Sequence, residues 1–260
     1  MKIAVPLLLA DDRPPVDDLA SHFAAKWPEL PGPTALDEDE RTMSFRVGTG
    51  EIAIGRMPAP YPWSDLEGPC ATSILWPNAE EEVRRHRYHW IVTVRGEAKP
   101  VQVAVLLTKV TASVLASCPS ALGVYWGGAA LIVPKQLFVD LAEEVLPSDP
   151  PIVAWVDVRV GATSGGGSFG FTQGLENLGH LELEAPEAPE RPAELRERLL
   201  ALARYIVKDN VRIRSGDTVG RDAHEKIRVS HVASRFGHSG TVMRLDYVGA
   251  SERRPWWRVL

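Results

Sequence analysis

The chain has 260 residues, 45% of them hydrophobic and 24% charged, with 29 Lys and Arg against 34 Asp and Glu and a formal charge of −5. That composition excludes disorder, collagen and coiled coil, and the length suffices to bury one large or two small cores. No apolar run approaches the roughly 20 residues of a membrane helix, so no membrane partner is expected.

The start, MKIAVPLLLA, has the lysine and apolar stretch of a secretory leader, but Pro6 interrupts it and Asp11, Asp12 and Arg13 follow at once. A buried first strand is therefore expected. After Pro14 and Pro15, apolar residues at Val16, Leu19, Ala20, Phe23, Ala24 and Trp27 keep helical spacing until Pro28 stops them. Residues 37–40 are polar enough to be a loop, and residues 43–47 and 52–56 flank Gly48-Thr49-Gly50 as a hairpin. A weak helix at 78–86 and a strand at 88–94 come next.

Pro100 opens a helix in which Val101, Ala104, Val105, Val110, Val114 and Leu115 crowd much of the circumference, which marks it as central to a core. Strands at 122–125 and 129–133 lie around Gly127-Gly128. Pro134 opens a helix with Leu137, Phe138, Leu141 and Val145 inward, closed by Pro147, and a strand is expected at 152–160. Strand, helix, strand, strand, helix, strand is the order of the ferredoxin-like split βαβ.

The fold class expected is α+β, with ferredoxin-like split βαβ halves in a mixed, mostly antiparallel sheet and a strand-rich C-terminal segment. An N-terminal α+β half covers 1–95, and the ferredoxin-like half covers 88–160 and shares strand 88–95 with it, the two making one compact unit. Residues 161–260 form the C-terminal segment, with an amphipathic helix at 191–207 that has Leu195, Leu199, Leu202 and Ile206 on one face and Glu194, Arg196, Glu197 and Arg198 on the other. Residues 184–192 are expected as a loop, with short strands at 211–214, 226–231 and 240–247. Residues 208–260 hold 11 Lys and Arg against 6 Asp and Glu, whereas residues 1–207 hold 18 against 28.

Chemistry-bearing motifs are weak. Cys70 and Cys118 stand 48 positions apart, which suits free core thiols and a cytosolic setting. The glycine-rich stretch from Gly161 to Gly170 leads into a strand and lacks Gly-Lys-Ser, so it is expected as a hairpin connection and not as a phosphate cradle. His86 and His89, and His224, His231 and His238, lack the companion ligands of a metal site, so no metal and no cofactor are expected. His231, Ser234 and Asp217 contain the ingredients of a nucleophile relay without its sequence context. Glu182 and Glu184 stand two apart and share a strand face, with solvation of that face the simpler expectation. A hydrolase-type enzyme using Glu176, Glu182 and Glu184 near the glycine-rich loop is the alternative. Arg212, Arg214, Arg221, Lys226, Arg228, Arg235 and Arg244 make a basic segment that suits an acidic protein partner or internal complementarity, and nucleic acid only weakly. Trp256 and Trp257 suit either a plug that docks on the core or an interface anchor.

The run Thr172-Gln173-Gly174-Leu175 through Gly179-His180-Leu181-Glu182-Leu183-Glu184 resembles the T-x-G-L and G-x-x-E-x-E pattern of the bacterial family known as domain of unknown function 4261. Residues 216–220, and 226–229 through Ser234, resemble its downstream signature. The resemblance covers about 152–247 and implies an intracellular bacterial protein in the company of toxin and secretion genes. The functional expectation is a non-enzymatic cytosolic protein that binds another protein, such as a toxin it neutralises or a secretion component, with Arg212, Arg214, Arg221, Arg228, Arg235, Trp256 and Trp257 as the contacting residues.

Overall fold

The computed structural model describes residues 2–9, 16–96, 98–221 and 225–247. The chain divides into two compact units, Met1–Trp155 with Asn177–Gly179, and Val156–Glu176 with His180–Leu260. Each has its own sheet, both mostly antiparallel, so the α+β class is as expected.

In the first unit the elements run β1 (Lys2–Leu8), α1 (Val16–Lys26), β2 (Thr34–Glu38), β3 (Thr42–Val47), β4 (Gly50–Met57), α2 (Trp63–Ala71), α3 (Ala79–Val83), β5 (Tyr88–Arg95), α4 (Pro100–Ser117), β6 (Ala121–Trp126), β7 (Leu131–Pro134), α5 (Lys135–Asp140) and α6 (Ile152–Trp155). The sheet order is β2-β3-β4-β5-β1-β6-β7. β5 and β6 both pair antiparallel with β1, so they run parallel to each other with α4 as the crossover. This is a split βαβ with β1 in the slot.

The second crossover of the ferredoxin-like pattern does not close. The expected strand at 152–160 divides at Val156. Ile152, Ala154 and Trp155 form a buried helical turn, anchored where Trp155 Nε1 donates to Thr108 Oγ1 at 2.8 Å. The extended part begins at Asp157 and belongs to the second sheet. The chain passes from the first unit to the second between Trp155 and Val156.

α4 is buried on most sides, as its crowded apolar positions require. By length and composition it is apolar enough to cross a membrane, yet 61% of that stretch is packed inside the protein. α2 has no clear sequence signal because Gly68 and Pro69 lie within it. It forms through packing, with Leu66 and Cys70 joining Val5, Leu7, Trp76 and Ile132 in a second small core. The polar stretch expected as a loop at 37–40 begins in β2, a fully exposed edge strand whose charges shield the sheet margin.

The second unit runs β8 (Asp157–Ala162), β9 (Ser168–Gln173), β10 (Leu183–Ala188), α7 (Pro192–Lys208), β11 (Thr218–Val219), β12 (Ile227–Ala233) and β13 (Thr241–Tyr247), in sheet order β11-β12-β13-β10-β9-β8. The glycine-rich stretch is the β8–β9 hairpin connection, as expected. β10 replaces the loop expected from Glu184. Pro186 is tolerated there because it lies in the register shift between Ala185 and Ala188, where no ladder bond needs its missing N–H. The strand expected at 211–214 is irregular. The chain just beyond it is fastened to β12 where Gly216 N donates to Val229 O and Val229 N to Asp217 O, each at 2.8 Å.

Candidate functional site

β10 carries a carboxylate within its second residue and another just before its start, and both are buried. Glu182 is 5% exposed and Glu184 has no exposure. The expectation of a solvated strand face fails because each carboxylate is matched with donors, the condition under which a buried charge persists. Glu182 Oε2 accepts the Thr172 hydroxyl at 2.7 Å, and Oε1 accepts the backbone N–H groups of Gly174 at 2.7 Å and Glu176 at 3.0 Å. Thr172 Oγ1 in turn accepts Leu183 N at 2.8 Å. Glu182 therefore shapes the turn that leaves β9.

Glu184 organises a different loop. The Ser234 hydroxyl donates to its Oε1, and Arg235 N donates to Oε2 at 2.9 Å. Ser234 Oγ also accepts the backbone N–H groups of Phe236 and His238, each at 3.0 Å. One buried carboxylate thus fastens the β12–β13 connection, residues 234–240, through Ser234 and the Arg235 backbone. Glu176, the third carboxylate of the enzymatic alternative, has an exposed side chain and contributes only its backbone N–H. The three do not converge on one cleft.

The fastened loop lies over the sheet. Registers Ser230↔Arg244, Glu184↔Arg244, Glu184↔Phe171 and Arg159↔Phe171 place these side chains in one row on one face. α7 covers the other face, with Gly170, beside Phe171, so close that an added Cβ would stand 3.0 Å from Leu199. Phe236 stacks on Phe171 at 4.9 Å and on Phe169 at 5.7 Å, and His238 meets Phe171 edge-on at 5.7 Å. These aromatic contacts and the Glu184 anchor fasten Ser234, Arg235, Phe236 and His238 to the sheet.

Of the cations singled out in the sequence, the structure gathers some and separates others. Arg228 is exposed and stands opposite Asp246, and Arg244 on the same face donates from Nε to Asp246 Oδ1 at 2.6 Å. Arg235 extends from the fastened loop and its side chain takes no ion pair among the described residues. Pro186, Glu187, Arg235, Arg244 and Asp246 border an open groove of about 290 Å³ on this side. Arg212 and Arg214 are exposed on the irregular segment beside β12. Arg221 lies apart, next to α7, and reaches Glu194 O at 3.5 Å. Trp256 and Trp257 lie outside the described residues.

Arg198, expected on the solvated face of α7, is 8% exposed. It donates from Nε to Glu190 and from both terminal nitrogens to Glu225, at 2.9 and 2.6 Å. Burial opposes its charge, but Glu225 and Glu190 outweigh it and raise the guanidinium pKa. The relay of His231, Ser234 and Asp217 is not assembled. The Ser234 hydroxyl donates its hydrogen bond to Glu184, His231 Nε2 faces Ile213 O at 3.0 Å, and Asp217 accepts Arg214 N.

Within the first unit, His86 and His89 are buried and fasten the segment before α2. Tyr61 N donates to His86 Nε2 at 2.9 Å while His86 Nδ1 faces Val83 O, and His89 Nδ1 donates to Ala59 O at 2.8 Å. Burial pushes the His89 pKa down. Trp27 Nε1 donates to Ser113 Oγ at 3.2 Å, and that hydroxyl lies 3.1 Å from His22 Nδ1, with Glu143 at 3.5 Å from Nε2. Serine, histidine and glutamate are in relay order, but Ser113 has no exposure and serves to tie α1 to α4. Among the described residues, no three His, Cys, Asp or Glu side chains are grouped to hold a metal ion.

The Ser234–Glu184 anchor and the Phe169, Phe171 and Phe236 stack had no local signal in the sequence. The partners are some 50 positions apart, and only a serine opening a Gly-containing loop hinted that its hydroxyl would turn back to the backbone.

The model of the family described as Domain of unknown function (DUF4261) matches residues 171–246. That segment holds Thr172, Gly174, Glu182, Glu184 and Ser234, so both buried carboxylate networks lie within it. No curated protein and no solved structure matches the chain.

Proposed function

We propose that the chain is a non-enzymatic protein-binding module that docks an acidic partner protein on the face of its second sheet that carries residues 234–240. The observation that carries this reading is the fastening of that loop by Glu184 and the phenylalanine stack, with Arg235 exposed on it and in no ion pair among the described residues, and Arg228 on the same face. A held loop loses little conformational entropy on binding, and exposed cations accelerate and orient encounter with an opposite charge. Arg212 and Arg214 extend the basic surface along the edge beside β12.

The finer role is neutralisation of a toxin or service to a secretion system, which the family resemblance suggests. A cytosolic setting agrees with two buried free cysteines, of which Cys70 has its pKa pushed up to about 11 by burial and is a poor nucleophile. The commitment of Glu182 and Glu184 to structural donors weighs against the enzymatic alternative.

The test is the salt dependence of a complex captured from the native cell with tagged protein. Affinity should fall by about tenfold or more between 50 and 500 mM salt, as for steered association between exposed charges. A complex indifferent to salt contradicts the proposal.

A further inference from the structure

α7 buries Leu195, Leu199, Ala203 and Ile206 against its sheet, yet another strip of the same helix is left open. Ala201, Leu202, Tyr205 and Val219 line a groove of about 440 Å³ between α7 and the short edge strand β11. Tyr205, 49% exposed, stands at one end. The other end carries opposite charges on Glu197 and Arg221, both exposed and not paired with each other. Glu197 takes no ion pair among the described residues, and the Arg221 guanidinium reaches the Glu194 carbonyl at 3.5 Å. Arg198 also borders the groove, but its charge is taken by Glu190 and Glu225.

We propose that this groove is where a second copy of the chain docks, the two α7 helices running antiparallel about a twofold axis at Ala201. The occupant is argued from the match of the groove to itself. Glu197 and Tyr205 each stand four residues from Ala201, about 6 Å along the helix. A twofold at Ala201 therefore sets Tyr205 of each copy on the Glu197 and Arg221 end of the other. There the phenol hydroxyl donates to the Glu197 carboxylate, and the Arg221 guanidinium takes the face of the ring. The small Ala201 side chain lets the helices approach at the crossing, while Leu202 and Val219 continue the apolar strip on both sides. Outside the groove, the same axis brings Lys208 of one copy to Glu194 of the other, and Arg204 to Arg198, whose charge Glu190 and Glu225 already balance. Arg204 and Lys208 each have a partner in their own copy, so the argument for docking rests on the groove itself. Eight residues line the groove in each copy. A stable interface uses roughly 20–30 a side, so the dimer is weak, with a dissociation constant on the order of 0.1 mM. The inference is independent of the partner face, because Arg228 and Arg235 lie on the opposite side of the sheet.

The experiment is sedimentation equilibrium of the full chain between about 5 and 500 µM, for wild type, Tyr205→Ala and Ala201→Arg, with circular dichroism melting to show that the variants are folded. Wild type should pass from monomer to dimer across that range, and each folded variant should raise the dissociation constant at least about tenfold. If Ala201→Arg does not fold, Tyr205→Ala, at an exposed position, decides. Mild oxidation tests the register, with the native Cys70 and Cys118 buried. Ala201→Cys places two thiols face to face at the axis and should give a covalent dimer, whereas in Glu197→Cys the two thiols lie about 12 Å apart along the helices and should not. A wild type that stays monomeric at the highest concentration overturns the proposal. So does a dimer that a folded variant leaves unchanged, or an Ala201→Cys chain that cross-links no faster than Glu197→Cys.

Discussion

The Thr172 hydroxyl and the Glu182 carboxylate meet at 2.7 Å beside the end of β9, and both side chains are buried. The threonine donates to the carboxylate and accepts Leu183 N, so one hydroxyl relays between a charge and the backbone. Glu182→Ala strands two backbone N–H groups and that hydroxyl, and should cost about 3 kcal/mol. Thr172→Val keeps the shape but deprives Glu182 and Leu183 of a partner, costing about 2 kcal/mol. Urea denaturation of both variants checks the pair, and a loss under about 0.5 kcal/mol for either would contradict the network.

The Glu184 anchor gives a local prediction. Ser234→Ala removes the acceptor of Phe236 N and His238 N and a donor to Glu184. Hydrogen exchange at those two amides should accelerate about tenfold or more, while the amides of β9 and β10 keep their protection. Phe236→Ala should loosen the same loop by removing the stack on Phe169 and Phe171. Unchanged exchange in both would mean that neither device holds the loop.

Stability should fall on mild acidification. His22, His89 and His180 each have a pKa below the ordinary 6.5, burial being the largest cause in all three. For His22, Glu143 opposes the shift and Lys26 adds to it, and for His180 Arg212 adds to it. Between the lowered values and 6.5 the unfolded chain binds more protons than the folded one, so stability rises with pH across that window. The contribution is full above about 6.5 and is lost as pH falls through the lowered values. A second loss follows below about pH 4.5. There Glu225 is held down by Arg198, and Asp246 by Arg244 and Ser230 despite its burial. Melting temperature measured from pH 7.5 to 3.5 should show both declines, and a flat profile down to pH 5 would contradict the histidine assignment.

Two glycines make opposite predictions. A Cβ at Gly123 in β6 would stand 2.4 Å from Val133 O and 2.6 Å from the Trp76 ring, so Gly123→Ala should cost about 2–3 kcal/mol. Gly68 lies in α2 with nothing within 4 Å of an added Cβ, so Gly68→Ala should stabilise by about 0.5–1 kcal/mol. Denaturation midpoints of the two variants should move in opposite directions.

What was legible in the sequence was what local periodicity encodes. The stripes of α1, α4 and α7, their prolines, and the β3–β4 hairpin with Gly48 at φ +57° were all readable. What was not legible depends on partners far along the chain. α2 is a weak helix drawn in by Leu66 and Cys70, and β10 carries charges and a proline that only its neighbouring strands accommodate. Glu182 and Glu184 look like surface residues by type, and only Thr172 and Ser234 brought beside them make burial tolerable. The family resemblance marked those residues without revealing that they act as internal fastenings.

The most direct measurement is capture from native-cell lysate by tagged wild type and by the Arg228→Glu, Arg235→Glu double variant, side by side at 50 mM salt. Both substitutions fall on exposed positions, so the fold and its melting temperature should be retained. An acidic protein held by the wild type and reduced at least about tenfold in the double variant is the result expected from a basic docking face. Equal retention by both chains, or no protein retained specifically by the wild type, would contradict it.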